Sequence, residues 1–192
     1  VSRRLAALLI GASLGVLLVS AAYLLLRRPT PPVGGGGAEA GGAGEVGGER
    51  WVAELFFPTA EGRLAGERRE LAAVEDVAGA VAAAVAALLA GPETPGLLPA
   101  FPPGIEVRGT LVLAEGTAYV DLGRSGGGPP PASGSEEEML RVQSLVQTVT
   151  ASVPEARQVV LLWDGQQRQS LAGHLDTGSP LQPDPRFLPP AP

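Results

Sequence analysis

Apolar positions along this chain fall into three regimes: a long unbroken run, a stretch with almost none, and a region where they recur at periods of two or about 3.6. The periodic region begins near Arg50. Trp51 to Phe57 reads as a strand ended by Pro58. Leu64 to Ala72 is charged and extended, which predicts an edge strand, because charge blunts sheet edges. Glu75-Asp76 then offers an N-cap and a negative start for a helix. Val77, Val81, Val85 and Leu88 recur in it at helical spacing, and Gly91-Pro92 stops it. After an irregular loop from Pro92 to Pro103, the residues Ile105, Val107, Gly109, Leu111 and Leu113 alternate as a strand. Glu115-Gly116 turns the chain, and Ala118, Val120 and Leu122 continue the alternation, so a hairpin with one apolar face is expected.

Gly123 to Gly134 has no periodicity. Ser135 followed by Glu138 reads as a capping box, and Met139, Val142, Val146, Val149 and Val153, widened by Leu145, form the stripe of a second helix ended by Pro154. Arg157 to Trp163 is apolar on both faces and should lie centrally in a sheet. Asp164-Gly165 predicts a type I′ turn, which needs positive φ at both central residues, into a last strand from Gln166 to Leu171. The order of elements implies an α+β fold: a two-layer sandwich with a mainly antiparallel sheet and two helices on one face. The domain so defined covers 50–188, with a tail at 189–192.

The unbroken run is Leu5 to Leu26, 22 residues without a charge between Arg3-Arg4 and Arg27-Arg28. About 20 apolar residues span a bilayer, so residues 1–28 are expected to form a transmembrane anchor. The alternative is a signal peptide cut near Val19-Ser20-Ala21. Against it, Tyr23 to Leu26 carries the run past that site, and signal cores reach only about 15 residues. The basic N-terminus favours a cytoplasmic start, which would place the domain outside the cytoplasm as part of a single-pass membrane protein. Residues 29–49, rich in Gly and Pro, read as a linker with a root-mean-square span of about 25 Å.

Charge narrows the partners. After Arg28 the chain holds ten arginines against all twenty of its acidic residues, a net −10, and it has no lysine. Such a domain is a poor ligand for nucleic acid or anionic lipid. The absence of cysteine excludes disulfides and thiolate metal sites.

Local motifs carry little chemistry. Gly42 to Gly47 matches G-x-G-x-x-G but stands in low-complexity sequence, without the strand and helix that a dinucleotide site needs. His174, Asp176 and Ser179 contain the residue types of a hydrolase triad, yet they crowd into one loop-like stretch, and a triad needs convergence in a pocket. A structural role for His174 is the simpler reading. Glu136-Glu137-Glu138 could attract Ca²⁺, but carboxylates at a helix start are sufficiently explained by the macrodipole. Trp51 and Trp163 lie in predicted strands, where core packing is expected and a sugar platform is the alternative. No catalytic residue, cofactor site or metal site is assigned.

The segment Leu171-Ala172-Gly173-His174, following the Asp164-Gly165 turn, resembles the end of the GerMN domain, the sporulation and spore germination domain of bacterial envelope proteins. Upstream elements match the same pattern in order: Val52 to Pro58, the charged Glu67 to Glu70, the helix end Leu88 to Pro92, Pro102-Pro103-Gly104, Gly116 to Leu122, and the acidic-started helix from Ser135 to Thr150. The resemblance covers about Trp51 to Phe187. It implies a non-enzymatic envelope domain similar in fold to ring-building motifs of secretion and sporulation complexes, held outside the membrane by a lipid or a transmembrane segment. A relative in endospore formers carries two copies and supports the complex joining mother cell and forespore. This chain shows one copy and has no lipobox cysteine.

Two functional classes follow. One is a protein–protein scaffold whose partners are envelope proteins or the chain itself. The other is a module that recognises peptidoglycan or another wall polymer. An enzyme ranks below both.

Overall fold

The computed structural model describes residues 49–189. The expected anchor at 1–28, the expected linker up to residue 48 with its Gly42 to Gly47 motif, and the last three residues of the tail lie outside them. No helix of the described residues is long and apolar enough to cross a membrane.

Strands β1 (Arg50–Pro58) and β2 (Leu64–Ala72) form an antiparallel pair in continuous register from Arg50↔Ala72 to Pro58↔Leu64. Helix α1 (Val77–Leu89) follows, capped by Asp76, whose carboxylate accepts the Gly79 amide at 2.6 Å. Val81, Val85 and Leu88 of the expected stripe are buried, with Ala84 beside them. Strands β3 (Ile105–Val112) and β4 (Thr117–Arg124) make the expected hairpin. Helix α2 (Ser135–Ser152) then crosses to β5 (Gln158–Trp163), and the Asp164-Gly165 turn leads into β6 (Gln166–Gln167). Asp164 and Gly165 have φ of 50° and 75°, as a type I′ turn requires.

The α+β class and both helices are as expected, while the strand arrangement differs in three ways. First, the strands divide into two sheets, β1-β2 and β3-β4-β5-β6. Second, β4 and β5 are parallel, from Thr117↔Gln158 to Leu122↔Trp163. The helical crossover carries the chain back to the end of the sheet where β4 began, so β5 runs parallel to β4. Third, β6 is only two residues long, because the chain from Arg168 onwards turns back over α2 instead of continuing the ladder.

A bulge at Arg108, between the pairs Val107↔Leu122 and Gly109↔Asp121, corrects another expectation. One extra residue inverts the alternation of β3. Leu111 therefore leaves the apolar face it was expected to join and stands 53% exposed on the outer side of the sheet.

Both sheets and both helices share one core. Leu55 and Phe57 from β1 meet Val81, Val85 and Leu88 from α1, the inward residues of β4 and β5, and Val142, Val146 and Val149 from α2. A smaller cluster of Phe56, Leu64 and Leu140 packs against Phe187 and Leu188 near the C-terminus. β1 stays apart from the larger sheet because α2 occupies its free edge. Thr148 Oγ1 accepts the Phe56 amide and Ser152 Oγ accepts the Glu54 amide, both at 2.9 Å.

Candidate functional site

Every residue of α2 from Leu140 to Val149 is buried, although Arg141, Gln143, Ser144, Gln147 and Thr148 are polar. The sequence pattern predicted one apolar stripe. The other faces are buried because Arg141, Gln143, Gln147 and Thr148 hold loops and a strand edge in place of water.

Glu138 is the clearest case. It is fully buried, and its carboxylate accepts Ser170 Oγ at 2.7 Å and the amides of Leu171, Ala172 and His174 at 3.0, 2.8 and 2.8 Å. Gly173, at φ 100°, lets the backbone curl around the carboxylate. Burial alone would push the Glu138 carboxyl up. The amide of Ala172, the Ser170 hydroxyl and the amides of His174 and Leu175 outweigh it and hold the group below the usual carboxylate range. The expected capping box is therefore absent: Gly134 is the N-cap, without a side-chain bond, and Glu138 serves the later loop. The Leu-Ala-Gly-His segment is a backbone cradle for a buried anion.

A second cradle surrounds Glu67 on β2. Its carboxylate accepts the amides of Glu93 and Thr94 at 2.9 and 2.7 Å and pairs with Arg69. Burial again raises this carboxyl, and the Thr94, Arg69 and Glu93 contacts reverse the direction. Arg69 also donates to the carbonyls of Ala87 and Gly91, both at 3.0 Å, and so closes the C-terminal end of α1.

Arg141 is the third buried ion, 2% exposed. It donates to the carbonyls of Ala100 and Pro131, to Ser133 Oγ, and to Glu137 at 2.6 Å. It thereby ties the loops before β3 and after β4 to α2. Burial pushes the guanidinium pKa down against the opposing pull of Glu137 and Glu138.

The tempting triad does not assemble. His174, Asp176 and Ser179 are exposed, and no hydrogen bond joins their side chains. His174 contributes its backbone amide to Glu138, while Asp176 accepts the Gly178 amide at 2.9 Å. Glu136, Glu137 and Glu138 diverge, and among the described residues no three His, Asp or Glu groups converge on a metal position. Trp163 is a core residue whose indole N–H donates to the Gly128 carbonyl at 2.8 Å.

Trp51 is different. It is half-buried in an open groove of about 430 Å³, with its indole N–H on the Ala72 carbonyl at 3.2 Å. Val74, Val77, Ala80, Val153 and Pro154 complete the apolar lining, and Val74 is 42% exposed. Glu49, Glu75 and Glu155 stand on the rim. The C-terminal end of α2 also meets the groove, with no basic residue in its last turn. No local pattern announces this groove, because it forms where the ends of β1, α1 and α2 meet.

The family model described as sporulation and spore germination (Germane) matches residues 54–169, more than half of the chain and most of the fold from β1 through β6. The chain belongs to the Germane family. The match ends just before the Ser170 to His174 cradle. The tandem GerMN domains of the sporulation protein GerM from Bacillus subtilis share the family fold, with a TM-score of 0.52 at 20% identity. That likeness covers 70% of this chain and 45% of the tandem protein, so the chain spans less than half of it. The first GerMN domain of the same protein alone gives a TM-score of 0.48 at 19% identity, covering 70% of this chain and 96% of that one. A candidate lipoprotein from Clostridium perfringens gives 0.48 at 20% identity, covering 73% and 91%. No curated protein matches the chain.

Proposed function

We propose that the chain is a membrane-tethered, extracytoplasmic module that binds envelope proteins in sporulation or germination, and that it acts without chemistry of its own. The observation that carries this reading is the fate of the buried ions. Glu67, Glu138 and Arg141 are each bound to backbone groups that fix loops, so they serve as staples rather than as acids or bases. Family membership supports the process, and the apolar run from Leu5 to Leu26 supports the tether. A rigid domain whose loops are locked is suited to presenting surfaces.

Recognition of a wall polymer is a second reading, favoured by the half-buried Trp51 in its groove. In-cell cross-linking of the full-length protein, followed by muramidase digestion and mass spectrometry, separates the two. Recurring envelope proteins or self-links support the scaffold. Muropeptides without protein partners overturn it in favour of wall binding.

A further inference from the structure

The Trp51 groove has a charge pattern that selects its occupant. Its lining is apolar, with Trp51, Val74 and Pro154 reachable from outside. Glu49, Glu75 and Glu155 are all exposed on the rim and enter no ion pair among the described residues. The sole arginine lining the groove, Arg50, is paired with Glu70 at 3.6 Å. The C-terminal end of α2 adds the negative pole of an 18-residue helix. The positive end of α1 is answered within the domain by Asp76. The potential at the groove is therefore negative around an apolar floor.

We propose that this groove docks a segment of a partner protein in which an apolar side chain is flanked by lysine or arginine. The apolar residue would cover Val74, Val77 and Pro154, its cationic neighbours would meet the rim carboxylates, and the face of Trp51 would accept a cation or an aliphatic stem. A second copy of this chain is a poor occupant, because the part after Arg28 carries a net −10. The proposal rests on the scaffold reading and adds to it the site and the chemistry of the partner.

The test uses the full-length protein in nanodiscs of neutral lipid. The probe is a short capped peptide with a central leucine-valine pair between lysine pairs, compared with the same peptide carrying glutamate for lysine. Binding is read from the indole N–H signals of Trp51 and Trp163, the buried Trp163 serving as the internal control. The lysine peptide is expected to shift Trp51 alone and to bind at least about tenfold more tightly than the glutamate peptide, with the preference shrinking as salt rises. Val74→Arg should abolish the shift, and Glu75→Gln with Glu155→Gln should weaken it. These positions are at the surface, so an unchanged melting temperature verifies the fold of each variant. Equal binding of both peptides, or binding of neither, overturns the groove assignment. In that event, protein cross-links in cells at another surface keep the scaffold reading. A Trp51 shift by soluble muropeptides but not by the lysine peptide overturns the groove assignment and turns the site towards wall recognition.

Discussion

Glu138 and Glu67 exchange their water for backbone amides, and that exchange keeps them charged. Desolvation of a carboxylate costs several kcal/mol, and only several well-placed donors offset it. Both folded pKa values lie below the ordinary value of 4.5. Their contribution to stability is therefore present in full above that value and is lost as pH falls through the folded values. Urea unfolding at a series of pH values should show stability declining below about pH 4.5, with a shallower decline in Glu138→Gln. Glu138→Ala should cost about 3 kcal/mol at neutral pH, since it orphans three amides and a hydroxyl in the interior. Ser144 offers the opposite case: its hydroxyl is buried without a partner. Ser144→Ala should raise stability by about 1 kcal/mol, measured as a higher urea midpoint at constant slope. Glu138 read as half of a capping box, although its spacing held a different signal. Glu138 stands at helical spacing with Val142, Leu145 and Val149, which places it on the buried face of its helix. Its partners were not legible, since they lie more than thirty residues away along the chain.

α2 is the element on which the others depend. Its stripe of Ser144, Thr148 and Ser152 faces β1, where two hydroxyls replace the strand that would otherwise pair with that edge. Thr148→Val combined with Ser152→Ala should cost about 2 kcal/mol and speed amide exchange at Glu54 and Phe56 more than elsewhere in β1. If exchange rises evenly along the strand, the edge-capping role is wrong. Element types and most boundaries could be read from periodicity, because each apolar stripe answers to a local repeat. The division into two sheets, the parallel β4–β5 pair and the inverted phase of β3 could not. The first depends on side-chain hydrogen bonds between distant elements. The second follows from where the crossover lands, and the third from a single bulged residue whose sequence, Val107-Arg108-Gly109, looks like ordinary alternation.

At the scale of the whole molecule, one core joins both sheets and both helices, and buried ions hold loops to α2. What the domain leaves free is surface: an acidic exterior, the outer face of the larger sheet around Leu111, and the groove at Trp51. The central claim is that partner proteins are held at this surface. The most direct measurement places a photo-activated cross-linking residue at Val74, at Leu111 or at exposed Gln166, which follows the far end of β5 from Glu155, in the full-length protein, then illuminates living cells. Adducts to defined envelope proteins, strongest from position 74 and weakest from 166, are the predicted result. Adducts confined to wall fragments, or equal and unspecific from all three positions, would contradict it.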